Sequence, residues 1–152
     1  MNALRKGLDF YYRGSRGLAF ATPALDLGLR LFLANVFFKS GLTKIQSWDS
    51  TLYLFSDVYQ VPLLNSQVAA YMATAGELGL SVLLVLGLFG RFAAAGLFIL
   101  NAVAAYSYYS GLSEAGLNQH LYWGLLLAVL LLHGPDKWSL DKLLEKKSVK
   151  RA

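Results

Sequence analysis

The chain has 152 residues, 56% hydrophobic, 14% aromatic and only 15% charged, with a net charge of +5 and no cysteine. Soluble domains carry about 25% charged residues, so there is too little polar surface here for a water-facing particle. Without thiols, disulfides, thiol relays and cysteine-ligated iron–sulfur clusters are excluded. Nucleic acid is not an expected partner either, because the basic residues gather at the two ends while the apolar stretches between them require lipid.

Residues 1–23 form a first segment. Ala19, Phe20 and Ala21 look like a cleavage site, but no apolar run of about 7 to 15 residues precedes them, as a signal peptide needs. The segment reads instead as an amphipathic helix lying on the membrane, with Leu4, Leu8, Tyr11 and Tyr12 toward lipid and its cations outside. Pro23 then opens a first spanning helix over about residues 24–45, which carries Arg30, Asn35, Lys39 and Lys44. The connection 46–67 is too long for a bare turn. Leu52, Phe55 and Tyr59 recur near helical spacing in it, predicting a short cap across one mouth of the bundle that Pro62 closes.

The second span, 68–88, contains one formal charge, Glu77. Its length matches the hydrocarbon thickness of a bilayer. Gly87, Gly90 and Arg91 turn the chain into a third span, 92–109, apolar but for Asn101. The polar loop 110–116 leads to a fourth, 117–132, which stops at His133, Gly134 and Pro135. A basic tail, 136–152, has a narrow apolar side of Leu140, Leu143 and Leu144 and is expected as a surface helix on anionic lipid.

The predicted architecture is therefore all-α: an integral membrane four-helix bundle, 24–135, with an amphipathic N-terminal segment. Connections 46–67 and 110–116 hold no lysine or arginine, whereas both ends of the chain are rich in them. By the positive-inside rule both termini are expected in the cytoplasm.

Polar groups within the spans carry the chemistry. At 100° per residue Asp26, Arg30, Phe37, Gly41 and Lys44 share a stripe, from which Lys39 points away. Glu77 and Asn101 come out at similar depth on the neighbouring helices, so a polar cluster of Arg30, Glu77 and Asn101, with Lys44 as a further member, is the candidate ligand site. The competing reading is an interhelical tie in which Arg30 satisfies Glu77 and nothing binds. Taken separately, Lys39 and Lys44 read as snorkelling to the outer interface. His120 lies among Tyr122 and Trp123, where an interfacial role competes with that of proton carrier or hydrogen-bond donor to a ligand. Ala75 with Gly79, and the stretch 93–96, offer smooth packing surfaces. No HxxxH or HxxE spacing surrounds either histidine, so no metal site is expected.

Several of these residues together resemble the DoxX-like family of small membrane proteins. The likeness spans about residues 25–144 and rests on Arg30, the Gly41-Leu42-Thr43-Lys44 helix end, Phe55, Val61-Pro62, Glu77 with the run 83–91, Gly134-Pro135 and Ser139-Leu140-Asp141. It implies a four-helix protein of a bacterial or archaeal inner (plasma) membrane and a place beside redox or stress-response systems. The expectation is an accessory subunit, not a self-sufficient enzyme, with a soluble or membrane redox protein as partner. Arg30, Asn101 or His120 would hydrogen-bond the carbonyls of a quinone, and Glu77 would handle its proton. A small-solute or proton pathway through the bundle or a homo-oligomer is the alternative, and a membrane anchor for soluble partners is a third.

Overall fold

In hydrocarbon a backbone amide finds no water, so each spanning segment must satisfy its own N–H and C=O groups, and the apolar stretches fold as long helices. The computed structural model describes residues 2–134 and 136–149, without the side chains of 2–4 and 6. The Leu4 and Lys6 side chains of the predicted amphipathic face, Pro135 of the predicted stop, and Lys150 and Arg151 of the tail thus lie outside the described residues. The elements are α1 (Asn2–Ala19), α2 (Thr22–Gln46), α3 (Trp48–Tyr53), a single π turn (Leu54–Val58), α4 (Ser66–Leu86), α5 (Gly90–Ser107), a short 3-10 turn (Tyr109–Gly111), α6 (Glu114–His133) and α7 (Leu140–Val149). Among the described residues there is no strand. The run Gly7–Gln46, which takes in α2, and α4, α5 and α6 are each long and apolar enough to cross a membrane.

Helix ends depart from the predicted ones by up to three residues, and the starts of α2, α4 and α6 do so for a capping reason. Pro23 sits in the first turn of α2, not ahead of it, because the missing N–H is an orphan there anyway. Asn65 accepts from Gln67 N–H at 2.9 Å and Ser113 from Gly116 N–H at 3.1 Å, which starts α4 and α6 before their apolar runs begin.

The helices α2, α4, α5 and α6 pack in sequence, and α6 closes on α2. Each contributes one fully buried leucine: Leu33, Leu84, Leu97 and Leu127. These meet in one apolar core that crosses the bundle between its two ends. Close approach is set by glycines: a Cβ on Gly41 would meet Leu78, one on Gly76 would meet Leu100, and one on Gly96 would meet Leu80. Gly79 has open space around it, so the small pair Ala75 and Gly79 is not a packing contact within the bundle.

One end, the cap end, carries α3 and the π turn. Thr51 Oγ1 donates to Lys44 O at 3.0 Å and Gln60 N–H to Ser107 O at 3.0 Å, which seat the cap on α2 and α5. The other, the terminal end, carries α1 and α7. On α1, Tyr11 and Leu18 fall on the side opposite Arg5, Asp9 and Arg16, with Leu8 at its edge, whereas Tyr12, expected toward lipid, falls among the cations; all are exposed.

The α4–α5 turn ties this end together. Gly87 adopts a left-handed conformation (φ +62°) and closes α4, with its N–H on Leu84 O and Leu88 N–H on Leu83 O. A side chain at Gly87 would also collide with Arg30 and Ser139. Asp141, just inside α7, accepts Phe89 N–H and Gly90 N–H at 2.8 Å each, capping α5 across about 50 residues of sequence. Asp141→Ala should cost about 1–2 kcal/mol, as N-cap losses do, and free α7. The check is thermal unfolding in mild detergent with trypsin cleavage at Lys142 and Lys146. Faster cleavage and a lower midpoint are expected, with Asp141→Asn intermediate; unchanged cleavage would contradict the tie.

Candidate functional site

The predicted polar residues do not form one cluster. They form three separate groups, because packing Glu77 against Gly41 fixes the α2–α4 register. Arg30 is 11 residues before Gly41, or about 16 Å along the axis at 1.5 Å per residue, too far for a side chain to span. The expected Arg30–Glu77 contact is therefore absent.

Glu77 is held by Lys44 instead. Lys44 Nζ donates to Glu77 Oε1 at 2.9 Å and Oε2 at 2.8 Å and to Ser40 Oγ at 2.9 Å, while Ser40 donates to Glu77 Oε1 at 3.2 Å. Both charged side chains are mostly buried, so Lys44 turns inward and does not snorkel. Taking two charges out of water is costly, and the three-way hydrogen bonding is what offsets it. Sequence reasoning overlooked Ser40; its position one turn before Lys44 on the same stripe was the available signal.

Asn101 and His120 form the second group, joining α5 to α6. Asn101 Nδ2 donates to the His120 carbonyl at 2.8 Å, which turns Oδ1 toward the ring, 2.8 Å from His120 Nδ1. Only a protonated Nδ1 suits that geometry. In the neutral imidazole Nε2 is then an acceptor, and it has no protein partner among the described residues.

Arg30 belongs to the terminal end. Its Nε lies 2.9 Å from Asp26 Oδ2, an ion pair without an aligned hydrogen bond, and its Nη2 donates to the Trp138 carbonyl at 2.7 Å. The space beside it, walled by Asp26, Gly87, Gly134 and Ser139, is only about 10 Å³, room for a single water. Arg30 works as a strut between α2 and the segment leading into α7.

Glu77, Lys44 and His120 do share a space. A cavity of about 440 Å³ opens in the cap half of the bundle, with Ser40, Lys44 and Glu77 on one wall, His120 and Trp123 on another, and Phe37, Phe55, Tyr59 and Tyr108 among the rings around it. Tyr59 stacks edge-on with Phe55 at 5.1 Å and with Tyr108 at 5.4 Å between ring centres. Burial, then Tyr108 and Glu77 nearby, push the Tyr59 phenol above its ordinary value, so it stays a neutral hydroxyl. Apolar walls with a few convergent polar groups are the usual make-up of a small-molecule site. Tyr59 read from its spacing only as a cap residue, and Tyr108 carried no sequence signal for this site. Among the described residues no group of histidine and carboxylate side chains could hold a metal ion.

Four spanning helices, closed into a bundle around buried ion pairs, define a multi-pass helical membrane protein. Comparison narrows the class: a family model described as DoxX matches residues 25–110, and the chain belongs to the DoxX family. It is 34% identical over 126 residues to an uncharacterized protein of Haemophilus influenzae, covering 78% of this chain and 82% of that one. No solved structure matches.

If Arg30 is a strut, Arg30→Leu leaves Asp26 buried and unpaired, a loss of about 3–5 kcal/mol. Unfolding in detergent should show it as a large drop in midpoint, partly restored in Asp26→Ala/Arg30→Leu. A single replacement that unfolds like the parent would contradict this role.

Proposed function

We propose that the chain is an accessory membrane subunit whose cap-half cavity binds a planar, amphipathic ring of the quinone class, beside a redox or stress-response partner. The observation that carries this reading is the cavity itself: about 440 Å³, walled mainly by rings and aliphatic side chains, with Glu77 and His120 both reaching it. Rings stack favourably on aromatic walls, and the few polar groups set orientation.

The hydrogen-bond inventory favours the hydroxyl-bearing form of such a ring. An ammonium has three donors, and Lys44 directs its own at Ser40 and both Glu77 oxygens. Glu77 keeps spare lone pairs and His120 keeps Nε2, so the groups left over are acceptors, with the Tyr59 and Tyr108 hydroxyls able to play either part. A quinol offers two hydroxyl donors; a quinone offers only carbonyl acceptors. A bound quinol would supply the electrons and protons, while these residues bind, orient and shield it. In this reading the termini face the cytoplasm and the membrane is the inner one.

The buried leucines Leu33, Leu84, Leu97 and Leu127 weigh against a continuous solute or proton path, since they fill the bundle between cavity and terminal end. The exposed Leu143, Leu144 and lysines of α7 would suit an anionic lipid surface as well as a protein, so the anchor reading gains nothing specific.

The test is an equilibrium titration of the detergent-purified protein with a short-chain ubiquinol and with its oxidised form, followed by tryptophan fluorescence, Trp123 lying in the cavity wall. Saturable quinol binding is expected, several-fold weaker for the quinone. Loss of one hydrogen bond is worth about 1 kcal/mol, so His120→Phe and Glu77→Gln should each weaken binding about 5- to 10-fold. Linear, unsaturable signals, or equal affinity in both variants and the parent, would overturn the proposal.

A further inference from the structure

Asn35 is a polar group within a span that has no side-chain partner among the described residues. Asn35 lies 11 residues from the end of α2 at Gln46, or about 16 Å along the axis, deep in the hydrocarbon. It points about 160° away from Phe37 of the buried stripe, is exposed, and makes no side-chain hydrogen bond among the described residues. An unpaired amide there costs several kcal/mol. Lys39 can carry its charge outward on a long stem; Asn35 is too short to do so.

The surroundings of Asn35 have the form of a helix–helix seam. Leu31, Asn35, Phe38, Leu42 and Ile45 are spaced four, three, four and three residues apart, the heptad pattern of a left-handed helix pair, and all five are exposed. Alongside runs a groove of about 340 Å³ between α2 and α4, with Asn35 and Phe38 on one wall and Ser81, Val82 and Val85 on the other. The Ser81 hydroxyl is buried, at 1% exposure, and unpartnered. Ala75 and Gly79, the small pair that the bundle leaves unused, are also exposed on α4.

We infer that this face is a dimer interface at which a second copy of the chain pairs along α2, with the two Asn35 amides hydrogen-bonded to each other. Copies in one membrane share an orientation, so a two-fold axis along the membrane normal sets identical residues at identical depth. Whatever sits at the centre of such a seam must be its own complement. An amide, both donor and acceptor, is; an ammonium is not. Lys39 accordingly falls about 40° round from Asn35, on the flank away from the groove. A lone asparagine in a heptad seam also fixes register and favours the two-stranded state.

The absence of native cysteine makes the test direct. Single substitutions Leu31→Cys, Phe38→Cys and Leu42→Cys, with off-seam controls Phe32→Cys and Val129→Cys, are cross-linked in native membranes with a short bis-maleimide and read as dimer on denaturing gels. The seam positions should cross-link at least about fivefold more than the controls. Adding Asn35→Leu to Leu31→Cys should cut the dimer about 3- to 10-fold, in line with an interhelical hydrogen bond. Asn35→Gln should retain most of it, which separates a specific contact from misfolding. Equal yields at all five positions, adducts only with a different protein, or an Asn35→Leu variant that cross-links like the parent would overturn the inference.

Discussion

Hydrocarbon offers no hydrogen-bond partner, so every polar side chain carried into the membrane must bring its own. This requirement organises the molecule. Glu77 is placed opposite Lys44 and Ser40, Asn101 opposite His120, and Arg30 opposite Asp26 and the Trp138 carbonyl. Each group joins two elements that the chain separates, so each fixes a register as well as satisfying a charge or an amide. Between the groups, Leu33, Leu84, Leu97 and Leu127 supply apolar packing that carries no such directional information.

The result is a division between the two ends. At the terminal end the polar groups are closed on themselves: Arg30 is packed against Asp26, Gly87 and Ser139 with about 10 Å³ to spare, and Asp141 caps α5. At the cap end the polar groups border open volume, about 440 Å³ walled largely by aromatic rings. A closed end and an open end thus follow from the same physical rule, depending on whether the space beside the polar group is filled.

Much of the fold was legible in the sequence because length and hydropathy leave few choices in a bilayer. The four spans, the capped mouth and the outward face of Lys39 follow from residue spacing alone. What could not be read was the relative height of two helices. Depth counted from span ends set Glu77 within reach of Arg30 and Lys44 alike, and only the Gly41–Leu78 contact decides for Lys44. The Asn101–His120 bond was hidden for a similar reason: its two members lie 19 residues apart across a loop whose geometry carries no clear sequence pattern. Gly87 was read as a turn residue, which it is, but its second task of making room for Arg30 and Ser139 depends on a contact between distant segments.

The buried pair between Lys44 and Glu77 forms the polar wall of the cavity, in the register that the Gly41–Leu78 contact sets. A thermal double-mutant cycle in lipid nanodiscs, comparing Lys44→Met, Glu77→Leu and the combination, measures it most directly. Breaking one side of a buried pair costs about 3–5 kcal/mol, while replacing both sides is often near neutral. Each single variant should therefore unfold far below the parent and the double variant should recover most of the loss. Losses that simply add would contradict the account.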